Sequence, residues 1–307
     1  MSINVTPAMQ VKYKNNVEMI LQQQKCQLEM AVTTQDDASA EKVKVKDLIG
    51  NTLPQEDDER HGDTKYNNIT YDGVWIPKSN ELYYADLIDN ADKLATSIDL
   101  QGTSVMSGAG TINRAKDRRI LEGFYGPIIS GKEGTTSTPF PGGQTIAVTE
   151  GGVTAQRMNV AKLIAADKLL AQNYVDPMLE KWMVLTADDN AQLLTEVPAT
   201  SADFKASYAG EVQRGKLVTL LGWRFVHMEL DNPMLGTIPA LATDGSNYRK
   251  TPFWVKPGLV ANFWQRSRTM VDPLPHKKGS VQVFAGTTVA ATRTQAGMNG
   301  IILNVKG

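Results

Sequence analysis

A G-x-x-x-x-G-K pattern, Gly126 to Lys132, is the segment most suggestive of chemistry. In phosphate-binding loops this pattern follows a strand, and the next residue is a Ser or Thr whose hydroxyl binds magnesium. Here Glu133 occupies that position, and the pattern follows a predicted helix. Because a carboxylate would repel phosphate, the segment does not predict a nucleotide site.

The histidines and the cysteine do not form a recognisable catalytic or metal-binding pattern. His61, His227 and His276 are far apart in the sequence, fall in different predicted elements and show no H-x-x-x-H or H-x-x-E spacing. Cys26 is the single cysteine, so an intrachain disulfide and a thiolate zinc cluster are both excluded. We therefore predict no metal site and no catalytic triad.

Pairs of like charges have ordinary structural explanations. Asp57-Asp58 falls in a predicted loop and Asp188-Asp189 at a predicted helix start, where solvation and the helix dipole favour acids. The basic pairs Arg118-Arg119 and Lys277-Lys278 are too few to grip a nucleic acid duplex, although Arg118 and Arg119 could reach a neighbour's acids or a phosphate. We predict that the protein is not an enzyme and has no cofactor.

Composition narrows the class of protein. The 307 residues are 41% hydrophobic and 21% charged, with 32 basic against 33 acidic side chains. This balance is ordinary for a globular chain and lacks the basic excess of a protein that grips nucleic acid. No apolar run reaches the roughly 18 to 20 residues of a membrane span, and MSINVTPAMQ lacks the order of a secretory signal. We expect a protein that is soluble and cytosolic when made.

One long helix dominates the predicted elements. It runs from about Thr103, with Asp99 or Thr103 as its cap, to Gly126-Pro127, and its length is roughly 33 Å at ~1.5 Å per residue. Gly108 and Gly110 disfavour an isolated helix, so a neighbour must pack tightly against its first half. The helix is either the core of a large enzyme or an exposed spine flanked by copies. Its predicted apolar face contains Val105, Ala109, Ile112, Ile120 and Phe124, and its predicted polar faces contain Arg114, Lys116, Asp117, Arg118, Arg119 and Glu122.

The chain before this helix contains a predicted arm and a predicted projection. Pro7 to Val32 has helical spacing and is either an arm that packs on a neighbour or a surface helix, and Gln35 to Asp63 is predicted to be a loop or mobile arm. Asp63 to Tyr84 contains strand-type residues around turn signals at Gly73 and Pro77 to Asn80, which predicts an extended two-stranded projection. Its aromatic residues have no nearby partner element in the sequence. Asp86 to Ile98 is predicted to be a short amphipathic turn or helix.

The chain after the long helix alternates helices and strands. Ser130 to Gly152 is predicted to be a flexible boundary, and an α/β domain is predicted from about Gln144 to Asp272. Its elements are the helix Asn159 to Val175, capped by Asn159, the strand Lys181 to Leu185, the helix Thr186 to Leu194 with a capping box formed by Thr186 and Asp189, and strands at Lys216 to Glu229, bent at Gly222, and Gly258 to Met270. The tail is predicted to add the strands Val281 to Thr292 and Gly300 to Val305.

This order of parts resembles the major capsid proteins of tailed bacteriophages, whose fold is shared with the floor of herpesvirus capsids and with encapsulins. The resemblance rests on Arg60 to Gly102, on Ile112 to Gly134 with the pattern Arg114, Asp117, Ile120 and Gly123, on Ser201 to Glu229, and on the C-terminal strand pair. It implies an α+β fold with an N-terminal arm (1–50), an extended β-hairpin loop (51–85), a peripheral domain with a long spine helix (86–144 and 271–307) and an axial domain (145–270).

The resemblance also implies a function and partners. Pentamers and hexamers of the chain would form an icosahedral or prolate shell around double-stranded DNA, with weak non-specific DNA contact, a separate scaffolding protein, a portal and a decoration protein as partners, and no membrane. The alternatives are an encapsulin-type compartment, a cytosolic enzyme of unassigned chemistry and another virion component such as a tail protein. The predicted assembly interface comprises Tyr66, Tyr71, Trp75, Tyr83, Tyr84, Arg114, Arg118 and Arg119.

Overall fold

The computed structural model describes residues 25–38, 40–49, 54, 63–64, 66, 71–89, 100–196, 211–230, 235 and 248–306. Most of the predicted N-terminal helix, the charged residues 55–60, His61 and most of residues 232–247 lie outside the described residues. The described helices are α1 Leu100–Tyr125, α2 Val160–Gln172 and α3 Ala187–Glu196. The described strands are β1 Thr33–Gln35, β2 Lys42–Ile49, β3 Tyr71–Pro77, β4 Leu82–Ile88, β5 Ile128–Ser130, β6 Thr136–Thr138, β7 Thr145–Ile146, β8 Lys181–Leu185, β9 Glu211–Gln213, β10 Lys216–Leu220, β11 Trp223–His227, β12 Tyr248–Val255, β13 Leu259–Leu274, β14 Ser280–Arg293 and β15 Asn299–Val305.

The strands form three sheets. One has four strands in the order β1-β13-β14-β4, a second has seven in the order β7-β15-β12-β8-β11-β10-β9, and a third has four in the order β2-β3-β5-β6. In the first sheet β13 and β14 form a long antiparallel pair, from Leu259 opposite Arg293 to Leu274 opposite Ser280. The mixture of helices and sheets confirms the predicted α+β class.

The long helix α1 confirms the main prediction from the sequence. It ends at Tyr125, where the Gly126 N–H donates to the Glu122 carbonyl at 2.8 Å and Pro127 prevents continuation. The expected close packing on its first half is present, since a β-carbon built on Gly108 would lie 2.7 Å from the Tyr84 ring. The predicted polar face is wrong in part, because Arg114, Lys116 and Asp117 are buried.

Several predicted elements in the first third of the chain are wrong. Residues 29–31 form a 3₁₀ turn and β1 follows at Thr33, so the predicted helix does not continue to Val32. The predicted loop between residues 35 and 63 contains strand β2. The predicted helix or turn from residue 86 begins inside strand β4. The two strands of the predicted projection do not pair with each other, because β3 pairs with β2 and β5, while β4 pairs with β14.

The second half follows the predictions more closely. The Asn159 side chain caps α2 by accepting from the Lys162 N–H at 2.9 Å. In the capping box of α3, the Thr186 hydroxyl donates to Asp189 Oδ2 at 2.8 Å. The strands β8, β13, β14 and β15 lie close to their predicted positions, and Gly222 forms a tight turn between β10 and β11. The predicted flexible boundary after α1 contains the short strands β6 and β7.

Strand β15 is separated from the other C-terminal strand, β14, by its sheet. It pairs antiparallel with β12 over seven register pairs, from Trp254 opposite Asn299 to Tyr248 opposite Val305, and parallel with β7. This strand therefore belongs to the seven-stranded sheet, which packs against α2 and α3 through a core that includes Leu163, Leu193 and Trp223.

A buried lysine of α2, which packs on this sheet, provides a pH test. Lys162 Nζ donates to the Gln156 and Leu303 carbonyls, both at 2.8 Å, and to Asn304 Oδ1 at 2.9 Å. Burial lowers its pKa from 10.5 to about 8, against the opposing effects of Asp189 and Glu150. Because the folded pKa is below the unfolded pKa, the unfolded chain holds more protons between these two values. The charged form opposes folding fully below pH 8, and this penalty disappears as the pH rises toward 10.5.

We therefore expect the free energy of unfolding of the wild type to rise relative to that of Lys162→Met between pH 8 and 10, by at most about 1.4 kcal/mol per pH unit. Urea unfolding of both proteins at matched pH values measures this difference. A difference that stays constant across this interval would show that Lys162 keeps an ordinary pKa.

Candidate assembly surfaces

The start of the described chain is fastened to α1 by one carboxylate. Asp117 is fully buried and accepts from the backbone N–H groups of Gln27 and Leu28 and from Cys26 Sγ, each at 3.0 Å. Burial and the adjacent Asp117 raise the pKa of the Cys26 thiol, so this cysteine is a packed structural group and not a reactive thiolate. Leu28 and Ala31 then enter the core beside Phe124. Asp117 thus fixes residues 26–28 against α1.

Residues 29–36 are tied to two sheets by a hydrogen bond, by strand pairing and by ion pairs. Trp254 Nε1 donates to the Ala31 carbonyl at 2.8 Å, and β1 pairs parallel with β13 from Thr33 opposite Val260. Arg266 on β13 forms ion pairs with Glu29 and Asp36. Residues 27–37 therefore have a fixed direction along the β1 edge of the sheet β1-β13-β14-β4.

The strand pair β2–β3 packs on one face of the sheet β1-β13-β14-β4. Val45 and Ile76 are buried against Val260, with Trp264 and Ala290 at the margin. Residues 50–70 join β2 to β3 in the sequence, and most of them lie outside the described residues.

The rest of the same sheet face is not covered by the described residues. Alternate residues of β14 share a face, so Phe284 lies on the same side as Ala290, opposite Met270 of β13. We call this surface the open face, defined by Tyr83, Leu87, Met270 and Phe284. Tyr83 stacks on Phe284 with ring centroids 5.9 Å apart and is still 68% exposed. Around Phe284, the residues Arg268, Met270, Asp272 and Gln282 line a shallow depression.

The predicted interface aromatics do not form one cluster. Tyr66 is 86% exposed, Tyr83 lies on the open face, and Tyr71 lies in β3, where its side chain is outside the described residues. Two of these aromatics have partners that are distant in the sequence. Trp75 Nε1 donates to the Gly131 carbonyl at 2.8 Å, and Tyr84 packs on Gly108 of α1.

The predicted interface arginines are largely engaged within α1. Arg118 and Arg119 both pair with Glu122, at 3.0 and 2.8 Å. Arg114 is buried and donates to Thr111 Oγ1 at 3.1 Å. Each of the three thus has at least one polar partner within α1. Their predicted role in assembly stays a prediction.

Tyr84 and its neighbours hold β4 against the glycine-containing half of α1. The Ser104 hydroxyl donates to Asp86 Oδ2 at 2.6 Å, two residues beyond the contact of Tyr84 with Gly108. Burial and the nearby Asp86 raise the pKa of the Tyr84 phenol, so it stays neutral and a hydrogen-bond donor. These contacts explain how a helix with weak intrinsic propensity is held in place.

The seven-stranded sheet and the sheet β1-β13-β14-β4 meet at a fixed junction. Arg293 at the end of β14 is fully buried, donates to the Gly126 carbonyl at 2.7 Å and lies 4.4 Å from the centre of the Phe140 ring. Burial lowers its pKa to about 10, so the guanidinium remains charged at neutral pH. The Tyr125 hydroxyl donates to the Lys250 carbonyl of β12 at 2.8 Å. One hydrophobic core, which includes Phe124 and Trp254, continues across the junction.

The described residues contain no arrangement for metal or proton chemistry. No group of three His, Cys, Asp or Glu side chains within them is placed to hold a metal ion. His227 Nε2 lies 2.7 Å from the Leu217 carbonyl, and its burial lowers its pKa. In the part of the chain that the structure describes, no helix has the length and apolar character of a membrane span.

Comparison with known proteins identifies the family. The model of a family described as phage capsid protein matches residues 5–306. The chain belongs to this family. The resemblance to phage capsid proteins predicted from the sequence is confirmed, and with it the prediction of a structural protein of the virion and not an enzyme. A search of curated proteins found no match to this capsid protein.

Solved structures show the same fold at low sequence identity. The capsid of cyanophage P-SCSP1u is similar with a TM-score of 0.70 and 11% identity, covering 97% of this chain and 93% of that one. The capsid of Ralstonia phage GP4 has a TM-score of 0.67 and 12% identity over 98% and 96%. The mature capsid of bacteriophage PhiM1 has a TM-score of 0.66 and 14% identity over 94% and 90%. The predicted capsid fold is therefore confirmed, and this capsid protein assembles with copies of itself into a shell.

Proposed function

We propose that this capsid protein is the major capsid protein of a tailed phage, and that its pentamers and hexamers form an icosahedral or prolate shell around double-stranded DNA. The observation that carries the proposal is the family match over residues 5–306, together with a capsid fold that covers nearly the whole chain. Assembly takes place in the host cytoplasm. An encapsulin-type compartment is not favoured, because the matching family is that of phage capsid proteins.

The proposed division of labour follows the sheets. The N-terminal arm (1–50) and the extended loop (51–85) reach neighbouring copies. The peripheral domain contains α1 and β14, with the ends of β4 and β13, and the axial domain contains the seven-stranded sheet, to which β15 contributes. Each copy lays its loop over the spine helix α1 of an adjacent copy and its arm along another. Many modest contacts, closed into rings, give a shell that survives the loss of any one of them.

The near-neutral charge of the chain supports a role as a container for DNA. The chain has a formal charge of −1, so it has no overall attraction to a polyanion that must enter and leave. Contact with packaged DNA is weak and non-specific. A separate scaffolding protein, a portal and a decoration protein complete the proposed set of partners.

Sedimentation velocity and negative-stain microscopy of the expressed full chain test the proposal. The expected result is megadalton rings or shells that increase with protein concentration. A stable monomer at every concentration, with or without scaffold, would overturn the proposal.

Tyr66 and Trp75 are expected to respond differently to substitution. Tyr66→Ser removes an 86% exposed ring, so subunit stability should stay within about 0.5 kcal/mol while assembly weakens. Trp75→Ala also loses the hydrogen bond to Gly131 and the packing on Gly134, so it should lower subunit stability by about 2 kcal/mol. Urea unfolding of dissociated subunits and the sedimenting fraction measure the two effects. Unchanged assembly of Tyr66→Ser would remove Tyr66 from the interface.

A further inference from the structure

The connection from α2 to β8 contains an unusual backbone position. Tyr174 has φ of 54°, in the left-handed region that favours glycine. It ends α2 in a Schellman arrangement, in which the Tyr174 N–H donates to the Ala171 carbonyl at 3.0 Å and the Val175 N–H to the Leu170 carbonyl at 3.2 Å. The other described non-glycine residues with positive φ, Arg214, Leu221 and Lys278, each precede a glycine in a hairpin turn. No hairpin geometry explains Tyr174.

The same turn projects two large apolar side chains into solvent. Tyr174 is 94% exposed and Met178 is 89% exposed. The turn between them is well ordered, since the Met178 N–H donates to Asp176 Oδ1 at 2.9 Å. Val175 and Leu179 are partly buried against the core of the seven-stranded sheet. Val175 and Leu179 thus anchor the turn on the core, while Tyr174 and Met178 remain exposed. We call Tyr174 and Met178 the knob.

A second exposed apolar side chain, that of Val153, lies near the other end of α2. Val153 is 99% exposed in a loop that is fixed to the start of α2, where Asn159 Nδ2 donates to the Glu150 carbonyl at 3.0 Å. The 13 residues of α2 separate the two ends by roughly 20 Å at ~1.5 Å per residue. Contacts between unlike surfaces of identical copies generate rings when the rotation closes. The knob and the Val153 loop are such unlike surfaces on one unit.

Charge also favours this pairing. Asp176 stands between the two knob residues, and Arg157 follows the Val153 loop. Both are exposed, and neither makes an ion pair with any described residue. Glu150 in the same loop is also exposed, so Arg157 is the group that can meet an acid here. Asp176 of one copy and Arg157 of the next have opposite charges.

We infer that the Tyr174 and Met178 knob of one copy docks against the Val153 loop of the next copy in the capsomer ring, with Asp176 facing Arg157. This inference rests on the proposed function, since it names a contact between copies within the proposed rings. It explains why a strained tyrosine occupies a position that glycine would fill more easily. The contact stabilises the ring, whereas the left-handed backbone at Tyr174 destabilises the isolated subunit.

Tyr174→Gly separates the two roles of this residue. Glycine relieves the positive φ, so the thermal midpoint of dissociated subunits should be unchanged or higher by about 2 °C. Assembly should require a protein concentration about tenfold higher, because a buried aromatic anchor is lost. Ile164→Ser removes an exposed apolar residue from the middle of α2 and serves as the matched control, with assembly expected at the wild-type concentration. Equal assembly of Tyr174→Gly and wild type, or equal weakening by the control, overturns the inference.

Charge reversal tests the partner of the knob. Asp176→Arg and Arg157→Asp should each weaken assembly, and the double variant should restore it in part. A double variant that shows only the sum of the two defects would overturn the pairing. If wild-type chains form rings while Tyr174→Gly forms them equally well, the knob fails and the capsid proposal stands. If wild-type chains form no rings, both fail.

Discussion

Replacing Asp117 with alanine is expected to detach residues 25–32 from α1 and to lower the free energy of unfolding by about 3 kcal/mol. The carboxylate accepts from two backbone N–H groups and a thiol at a fully buried position. Each buried donor left without an acceptor costs about 1 to 3 kcal/mol, unless the segment moves into solvent. Release of the segment would also expose Leu28 and Ala31, which belong to the core.

Three measurements follow this change in dissociated subunits. Urea unfolding gives the loss of stability, limited proteolysis detects cleavage after residue 25, and alkylation of Cys26 should accelerate as its raised pKa returns to normal. Asp167→Ala is the control, because Asp167 is a half-exposed partner of Lys181 and its loss should cost less than about 1 kcal/mol. If the two variants are equally stable and equally resistant to protease, Asp117 does not hold the arm.

Replacing Gly123 with valine is expected to displace α1 from β14 and to cost about 3 kcal/mol or more. A β-carbon at Gly123 would lie 2.3 Å from the Ala291 carbonyl oxygen and 2.5 Å from its carbon. These are backbone atoms of a central strand, so they cannot move aside as a side chain would. Overpacking against a rigid backbone is at the costly end of such substitutions.

Circular dichroism and urea unfolding measure this effect, and Gly142→Ala provides the control. A β-carbon at Gly142 would meet nothing within 4 Å, so its stability should change by less than about 0.5 kcal/mol. A Gly123→Ala variant with wild-type stability would show that α1 can shift without cost. The close approach of helix and strand would then not limit the fold.

The elements that the sequence predicted correctly have local causes. The end of α1 is specified by Gly126 and Pro127, and the start of α2 by the side chain of Asn159. Strand β8 is a short, nearly continuous apolar run between turn signals. In these cases the residues that determine the structure are adjacent in the chain.

Strand pairing depends on distant residues and was predicted poorly. Val43 and Val45 alternate with lysines in β2, a period of two that is typical of a half-buried strand, but the high charge of this segment favoured a loop. Strand β3 pairs with β2. Strand β4 pairs with β14, which follows it by about 200 positions in the sequence. Local turn signals at Pro77 to Asn80 could not exclude a simple hairpin.

The candidate surfaces also depend on residues that are distant in the sequence. Asp117 is flanked by Lys116 and Arg118, so the pattern predicts a solvated acid, and only the returning arm explains its burial. Trp75 finds its partner in the turn at Gly131, 56 residues later. The open face and the knob were not predicted, because exposure of Phe284 or Tyr174 depends on which neighbours the fold supplies.

The position of β15 in its sheet has a consequence for biosynthesis. This strand lies between β7 and β12, yet it follows every other member of the sheet in the chain. Until residues 299–305 leave the ribosome, β12 lacks one of its two hydrogen-bonding neighbours and β7 has none. A nascent chain therefore cannot complete this sheet before residue 305 has left the ribosome.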